Sequence, residues 1–184
     1  DVGNGNHLAA LAEAAFMLGM ERNGDVVKMA SYAPLFFNVN KLDWKVNLIG
    51  YDNLASFGRS SYWVQQMYAQ NKPDVNLTTT IDLGVDAQAR IYAQAGLIRA
   101  SNEVVIKLVN ATDSTVPATL ALNGLSTTAS QATRTVLAGD PTSENSIAHP
   151  DLIAPRTNTI PAEKQTLTTT LAPWSVTVLR VPTK

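Results

Sequence analysis

The period of the apolar residues changes once along this chain, at Asn71-Lys72-Pro73-Asp74, and that change restricts the possible folds more than any other feature. Before it, all four Met and all four Phe lie between Phe16 and Met67 and no Thr occurs; after it, nineteen Thr follow from Thr78 onward. Side chains that suit helices give way to β-branched ones that suit pleated strands. The chain therefore reads as two architectures, residues 1–72 and residues 73–184. Its 184 residues suffice for one substantial domain, or for a small domain plus part of another.

In the first part, Asn4-Gly5-Asn6 supplies turn and N-cap chemistry. Leu8, Leu11, Ala12, Ala15, Leu18 and Gly19 then recur at the spacing of one helical face, and Asn23-Gly24 ends the helix. The small residues on that face predict a close approach to a neighbour, as in helices that cover a parallel sheet. Val26 to Ala33 reads as a mostly apolar strand buried on both faces. Asn38 to Asn53 has no clear period and reads as a long loop leaving the strand's C-terminal end. A second helix begins near Ser60 or Ser61 as N-cap, presents Trp63, Val64, Met67 and Tyr68 on one side, and ends around Lys72-Pro73.

From Val75 the period is two. Ala87, Ala89, Ile91 and Ala93 alternate with Gln88, Arg90, Tyr92 and Gln94; Val104, Ile106 and Leu108 alternate with Val105, Lys107 and Val109; Trp174, Val176 and Val178 repeat the pattern. Turns are expected at Gly84, Gly96, Asn110 to Ser114 and Asn123-Gly124, which gives an antiparallel sandwich of about eight strands. Gly139 to Pro161 is long, polar and Pro-bearing, and reads as an extended connection.

Composition removes several functions. Net charge is −1 with both signs interspersed and no run of Lys or Arg, so the electrostatic footprint of a nucleic-acid binder is absent. No apolar run approaches the roughly 18 residues of a membrane span. The absence of Cys excludes disulfides and thiolate metal sites but leaves the compartment open, with a secreted or periplasmic protein favoured over a cytoplasmic one. His7 and His149 have no clustered carboxylates at ligand spacing, so no metal site is expected, and His7 reads as a neutral surface or capping residue. Gly3 and Gly5 fit no phosphate loop, and no Ser sits in a nucleophile elbow. Tyr62 and Trp63 read as helix core by their spacing with Met67.

The run AEAAFMLGMERNGDVVKMASYAPLF closely resembles the segment that follows the catalytic nucleophile in family 51 α-L-arabinofuranosidases. SSYWVQQMYAQN, EVVIKLVNAT, NSIAHPDLIAP and the terminal LAPWSVTVLRV extend the resemblance, in order, over essentially the whole chain. It implies an α/β remnant of a TIM barrel (helix, strand, helix; residues 1–72, the C-terminal part of a (β/α)8 catalytic barrel), followed by an all-β antiparallel sandwich of jelly-roll type in residues 73–184. The implied parent is a retaining hydrolase that releases terminal α-L-arabinofuranosyl groups from arabinose-containing polysaccharides or oligosaccharides, with no cofactor.

The resemblance also implies that both catalytic Glu lie upstream, so that this chain carries no catalytic residue and Glu13 and Glu21 are structural. Sugars bind flat apolar rings plus fixed polar groups, and the loop after the strand offers Trp44 with Asn38 and Asn40 as substrate-binding candidates. Plant members of the family carry a similar Pro-Leu-Phe-x-Asn followed by an Asn and a Trp. A barrel strand without its neighbours is sticky, so residues 1 to about 72 are expected to fold back on the sandwich or to pair with a second copy as a homo-oligomer. The competing class is a non-catalytic sandwich that binds carbohydrate or only supports a barrel. With Tyr92 and Trp174 as its aromatics, and Trp174 placed as in a core strand, support is favoured.

Overall fold

Of the Asn4-Gly5-Asn6 run, Asn6 is the residue that starts the first helix, its side chain accepting the Ala9 N–H at 3.1 Å, and Asn23 closes it. The computed structural model describes residues 5–84, 90–125, 129–163 and 165–183; Asn4, Ala87, Gln88 and Ala89 of the sequence patterns lie outside them. Two helices, α1 (His7–Arg22) and α2 (Ser60–Gln70), flank three short strands, β1 (Phe36–Asn38), β2 (Ile49–Tyr51) and β3 (Ser56–Gly58). Eight strands follow: β4 (Val75–Leu77), β5 (Ile91–Ile98), β6 (Glu103–Asn110), β7 (Val116–Ala121), β8 (Gln131–Ala138), β9 (Arg156–Pro161), β10 (Thr166–Leu171) and β11 (Ser175–Pro182). Mostly antiparallel sheets with two helices are thus the observed class, and the change of period at 71–74 falls between α2 and β4.

The six-stranded sheet has the order β4-β5-β6-β11-β8-β9 with every neighbouring pair antiparallel, and β10 pairs with β7 in a second sheet. One face of the large sheet (Val104, Ile106, Leu108, Leu179, Val181) packs on Leu167 and Leu171 of β10. The other face (Val105, Val109, Leu137, Val176, Val178) packs on Ala10, Leu11, Ala14 and Leu18 of α1, on Val64, Met67 and Tyr68 of α2, and on Ile153. The central strands are therefore covered on both sides, and the helices form a third layer. In β6 both alternating sets are apolar apart from Lys107, which is the sequence signature of a doubly covered strand.

Several expectations are corrected. Val26 to Ala33 is not a strand: it runs irregularly beside α1, with Val26 72% and Met29 89% exposed, because no described neighbour pairs with its backbone. The strand forms later, at β1, which pairs in parallel with β2, while β2 pairs antiparallel with β3. The expected loop from Asn38 to Asn53 thus contains β2. The buried face of α1 is His7, Ala9, Ala10, Leu11, Ala14 and Leu18, rotated from the predicted stripe, so Leu8 and Ala12 are exposed. That face looks at an antiparallel sheet and at α2. Arg59, not a serine, is the N-cap of α2, and it makes no side-chain cap bond.

Gly96 is no turn: it sits inside β5, where a Cβ would run into the Pro73 ring and the Val75 carbonyl oxygen, so the chain needs a residue without one. The Gly139 to Pro161 connection is irregular up to residue 155 and then forms β9. Trp174 precedes β11 in a turn with φ 47°, so its place is set by that turn and not by strand alternation.

Candidate functional site

The loop after β1 carries the predicted sugar contacts. Asn38 ends β1, and its Oδ1 accepts the Asn40 N–H at 2.9 Å, which joins the two residues in one turn. The next peptide is fixed to the sheet, Val39 N–H donating to the Tyr51 carbonyl at 2.9 Å. Trp44 stands out of the same loop with its residue surface 66% exposed, and its carbonyl is held by the amide of the buried Asn47.

Aromatic and charged groups brace this loop from below. The Arg59 guanidinium lies 4.6 Å from the centre of the Phe37 ring, donates to the Lys45 carbonyl at 3.1 Å and faces Glu144 at 3.7 Å. Phe37 meets Phe57 edge-on at 5.9 Å, and Phe36 meets Tyr51 at 6.4 Å. Asn145, 3% exposed, bonds the carbonyls of Gly58 and Ile153 and the Ile153 N–H, so the 139–155 connection is tied to the end of β3.

The buried carboxylates have structural partners. Glu21 forms an ion pair with Lys107, whose side chain is 1% exposed and whose ammonium lies 4.5 Å from the centre of the Tyr68 ring. Burial lowers the Lys107 pKa, which Glu21 opposes, and burial raises that of Glu21, which Lys107 opposes. Glu13 accepts from the Tyr32 hydroxyl at 3.1 Å. Its carboxyl is raised by burial, while the Tyr32 phenol is pushed up to about 12 by burial and by the Glu13 charge. Glu103 pairs with Arg180, which lowers its pKa. Glu13 lines a groove of about 610 Å³ with Ala12, Phe16, Met20, Ala30 and Val46. Among the described residues no group of three His, Asp or Glu is placed to hold a metal ion, and no helix is long and apolar enough to cross a membrane.

The model of the α-L-arabinofuranosidase C-terminal domain matches residues 3–175. This chain belongs to that family. It is 37% identical over 177 residues to α-L-arabinofuranosidase A of Aspergillus niger, covering 95% of this chain and 27% of that one. It is 34% identical over 166 residues to α-L-arabinofuranosidase 2 of Arabidopsis thaliana, covering 90% of this chain and 24% of the relative. An arabinose-bound family 51 α-L-arabinofuranosidase superposes with a TM-score of 0.90 at 34% identity, over 97% of this chain and 28% of the other. A Thermotoga maritima α-L-arabinofuranosidase in complex with arabinose superposes at 0.77 with 16% identity over 98% of this chain and 38% of that one, a likeness of fold. The arabinofuranosidase C-terminal domain described here spans about a quarter of the length of the curated relatives it matches.

Within this α-L-arabinofuranosidase C-terminal domain, two residues carry more than their sequence context shows. His7, expected at the surface, is 0% exposed: its Nε2 meets the Trp174 carbonyl at 2.8 Å, and burial holds its pKa below the usual value, so the ring is neutral. Lys107 was legible only as the one polar residue in an otherwise apolar strand. Trp63 packs against the helix-side core, as its spacing predicts.

Proposed function

We propose that this chain is the C-terminal portion of a retaining glycoside hydrolase that removes terminal non-reducing α-L-arabinofuranosyl groups from arabinose-containing polysaccharides. The family match across residues 3–175, in a chain spanning about a quarter of relatives named α-L-arabinofuranosidases, carries this reading. Residues 1–72 are the closing part of a (β/α)8 catalytic barrel, and residues 73–184 are a supporting sandwich of jelly-roll type. What supports the barrel assignment is the uncovered Phe16 (72% exposed) in the groove at Glu13, which Ala12, Met17, Met20, Ala30 and Val46 also line: an apolar groove of this kind fits packing against more protein. Both catalytic Glu lie upstream, one attacking the sugar to form a covalent arabinosyl-enzyme, the other protonating the leaving oxygen and then activating water. That chemistry calls for no metal or organic cofactor. Asn38, Asn40 and Trp44 contact the substrate from the loop after β1.

The engagement of Glu13, Glu21, Glu103 and Glu144 with Tyr32, Lys107, Arg180 and Arg59 fits a chain whose carboxylates hold structure. A carbohydrate-binding role for the sandwich is the second reading. Trp174 is half-buried against the helix-side core, and one face of the large sheet serves as the floor for both helices, which favours support. The test is hydrolysis of an aryl α-L-arabinofuranoside: the parent enzyme turns it over with retention, and the 184-residue chain alone does not. Turnover by the chain alone, after contaminating enzyme has been excluded, overturns the assignment.

A further inference from the structure

Two Asn-x-Thr triplets occur in this sequence, Asn76-Leu77-Thr78 and Asn110-Ala111-Thr112, and each satisfies the acceptor pattern for N-linked glycosylation. The fold treats them in opposite ways. We propose that Asn76 is an N-glycan acceptor and that Asn110 is not.

Asn110 ends β6 and is 0% exposed. Its Nδ2 donates to the carbonyls of Ser114 at 2.9 Å and Ala172 at 2.8 Å, and its Oδ1 accepts from the Thr112 N–H at 3.1 Å and the Thr112 hydroxyl at 2.7 Å. Both polar groups of the triplet are turned on each other to close the turn after β6 and to tie it to the entry of β11. A sugar on that nitrogen would have to displace the Ala172 turn. The triplet there is a folding device.

Asn76 lies in β4, the edge strand of the large sheet, with Val75 and Leu77 half-buried on either side of it and both Asn76 and Thr78 exposed. Its side chain projects from the helix side of the sheet, where Nδ2 donates to the Glu21 carbonyl and, at 3.4 Å, to the Arg22 carbonyl at the end of α1. An amide nitrogen has two protons, so the closer contact can be kept by one while the other is surrendered. Transfer forms a bond from Nδ2 to the anomeric carbon of the first sugar and breaks that sugar's bond to a polyprenyl pyrophosphate donor, the amide proton leaving with the pyrophosphate. Asp25, Lys28, Lys72 and Asp74 share the groove that Asn76 borders with Met17, Met20, Val27 and Met29, and Asn76 itself stands exposed at it. A glycan here would also screen the unpaired backbone groups of an edge strand.

The experiment is secretion of the chain from a yeast, followed by peptide:N-glycosidase digestion and mass spectrometry of the intact chain and its peptides. The expected result is one enzyme-sensitive glycan, with Asp recovered in place of Asn at 76 and unaltered Asn at 110. Thr78→Ala removes the triplet but leaves the Asn76 amide on α1, and abolishes the mass shift without lowering the melting temperature. Secreted chain without sugar at Asn76, or with sugar at Asn110, overturns the proposal.

Discussion

Trp44 and Lys107 show how differently two side chains of this chain respond to removal. Trp44 is 66% exposed and stands on a braced loop, so Trp44→Ala in the full-length parent should leave unfolding within about 0.5 kcal/mol of wild type. The same change should lower kcat/KM on arabinose-decorated polysaccharide by about tenfold, or ~1.4 kcal/mol. A stability loss of several kcal/mol with unchanged catalysis would instead identify Trp44 as loop packing. Lys107 is the reverse case. Its charge is compensated by Glu21 on α1, so Lys107→Met strands a partly buried carboxylate and should cost about 3 kcal/mol in a denaturant titration. The double change Glu21→Leu, Lys107→Met should recover most of that loss, since neither charge then remains. A single change without cost would show that the pair does not hold α1 to the sheet. The sequence made Trp44 legible through its loop and left Lys107 obscure, because a lysine alternating in a strand ordinarily points to water.

At the scale of elements, α1 is fastened at both ends to strands far away in the chain. Its N-terminal residue His7 is held by the Trp174 carbonyl, while near its C-terminus Arg22 donates to the Gln94 side chain at 3.1 Å and to the Ala93 carbonyl at 3.2 Å. Burial lowers the His7 pKa, partly opposed by the Trp174 bond and the Asp140 charge, so the unfolded chain binds a proton at this site more readily than the folded one. His7 therefore contributes its full stability above the unfolded value of about 6.5, and the contribution falls as pH drops from there toward the lowered folded value. Glu13 and Glu21, raised by burial, act with the opposite sign and stabilise on acidification. Subtracting the melting-temperature profile of His7→Gln from that of wild type isolates the histidine, and the difference should shrink on the acid side of 6.5. A difference independent of pH would show that protonation of His7 is not linked to unfolding. The sequence placed this helix between the turn at Asn4-Gly5-Asn6 and the stop at Asn23-Gly24, within which the caps Asn6 and Asn23 fall. It misplaced the buried stripe because small Ala residues occupy nearly every side of α1, and which of them are covered depends on what packs there.

The molecule as a whole shares one core between its two architectures: α1 and α2 cover Val105, Val109, Val176 and Val178 of the large sheet. A chain beginning at Asp74 would bare that face along with Lys107, so it should melt lower than residues 1–184 and associate in light scattering. A monomeric 74–184 piece of unchanged stability would show that the helices are passengers. Much of this architecture follows from local pattern. The change of period at 71–74, eight strands after it, the cap at Asn6 and the turn at Asn123-Gly124 were all legible, because periodicity and turn chemistry are properties of neighbouring residues. The strand expected at Val26 to Ala33 failed for the complementary reason: an apolar run becomes a strand only when another strand accepts its backbone hydrogen bonds, and none of the described residues does. The sequence by itself determined the two helices, the change of period at 71–74 and the strand-rich part that follows. Only the tertiary structure decided that the two helices cover one face of the sheet and β10 the other, that His7 closes on a carbonyl 167 residues away and that Lys107 meets Glu21 across 86, because the burial of a polar group depends on partners that no local pattern encodes.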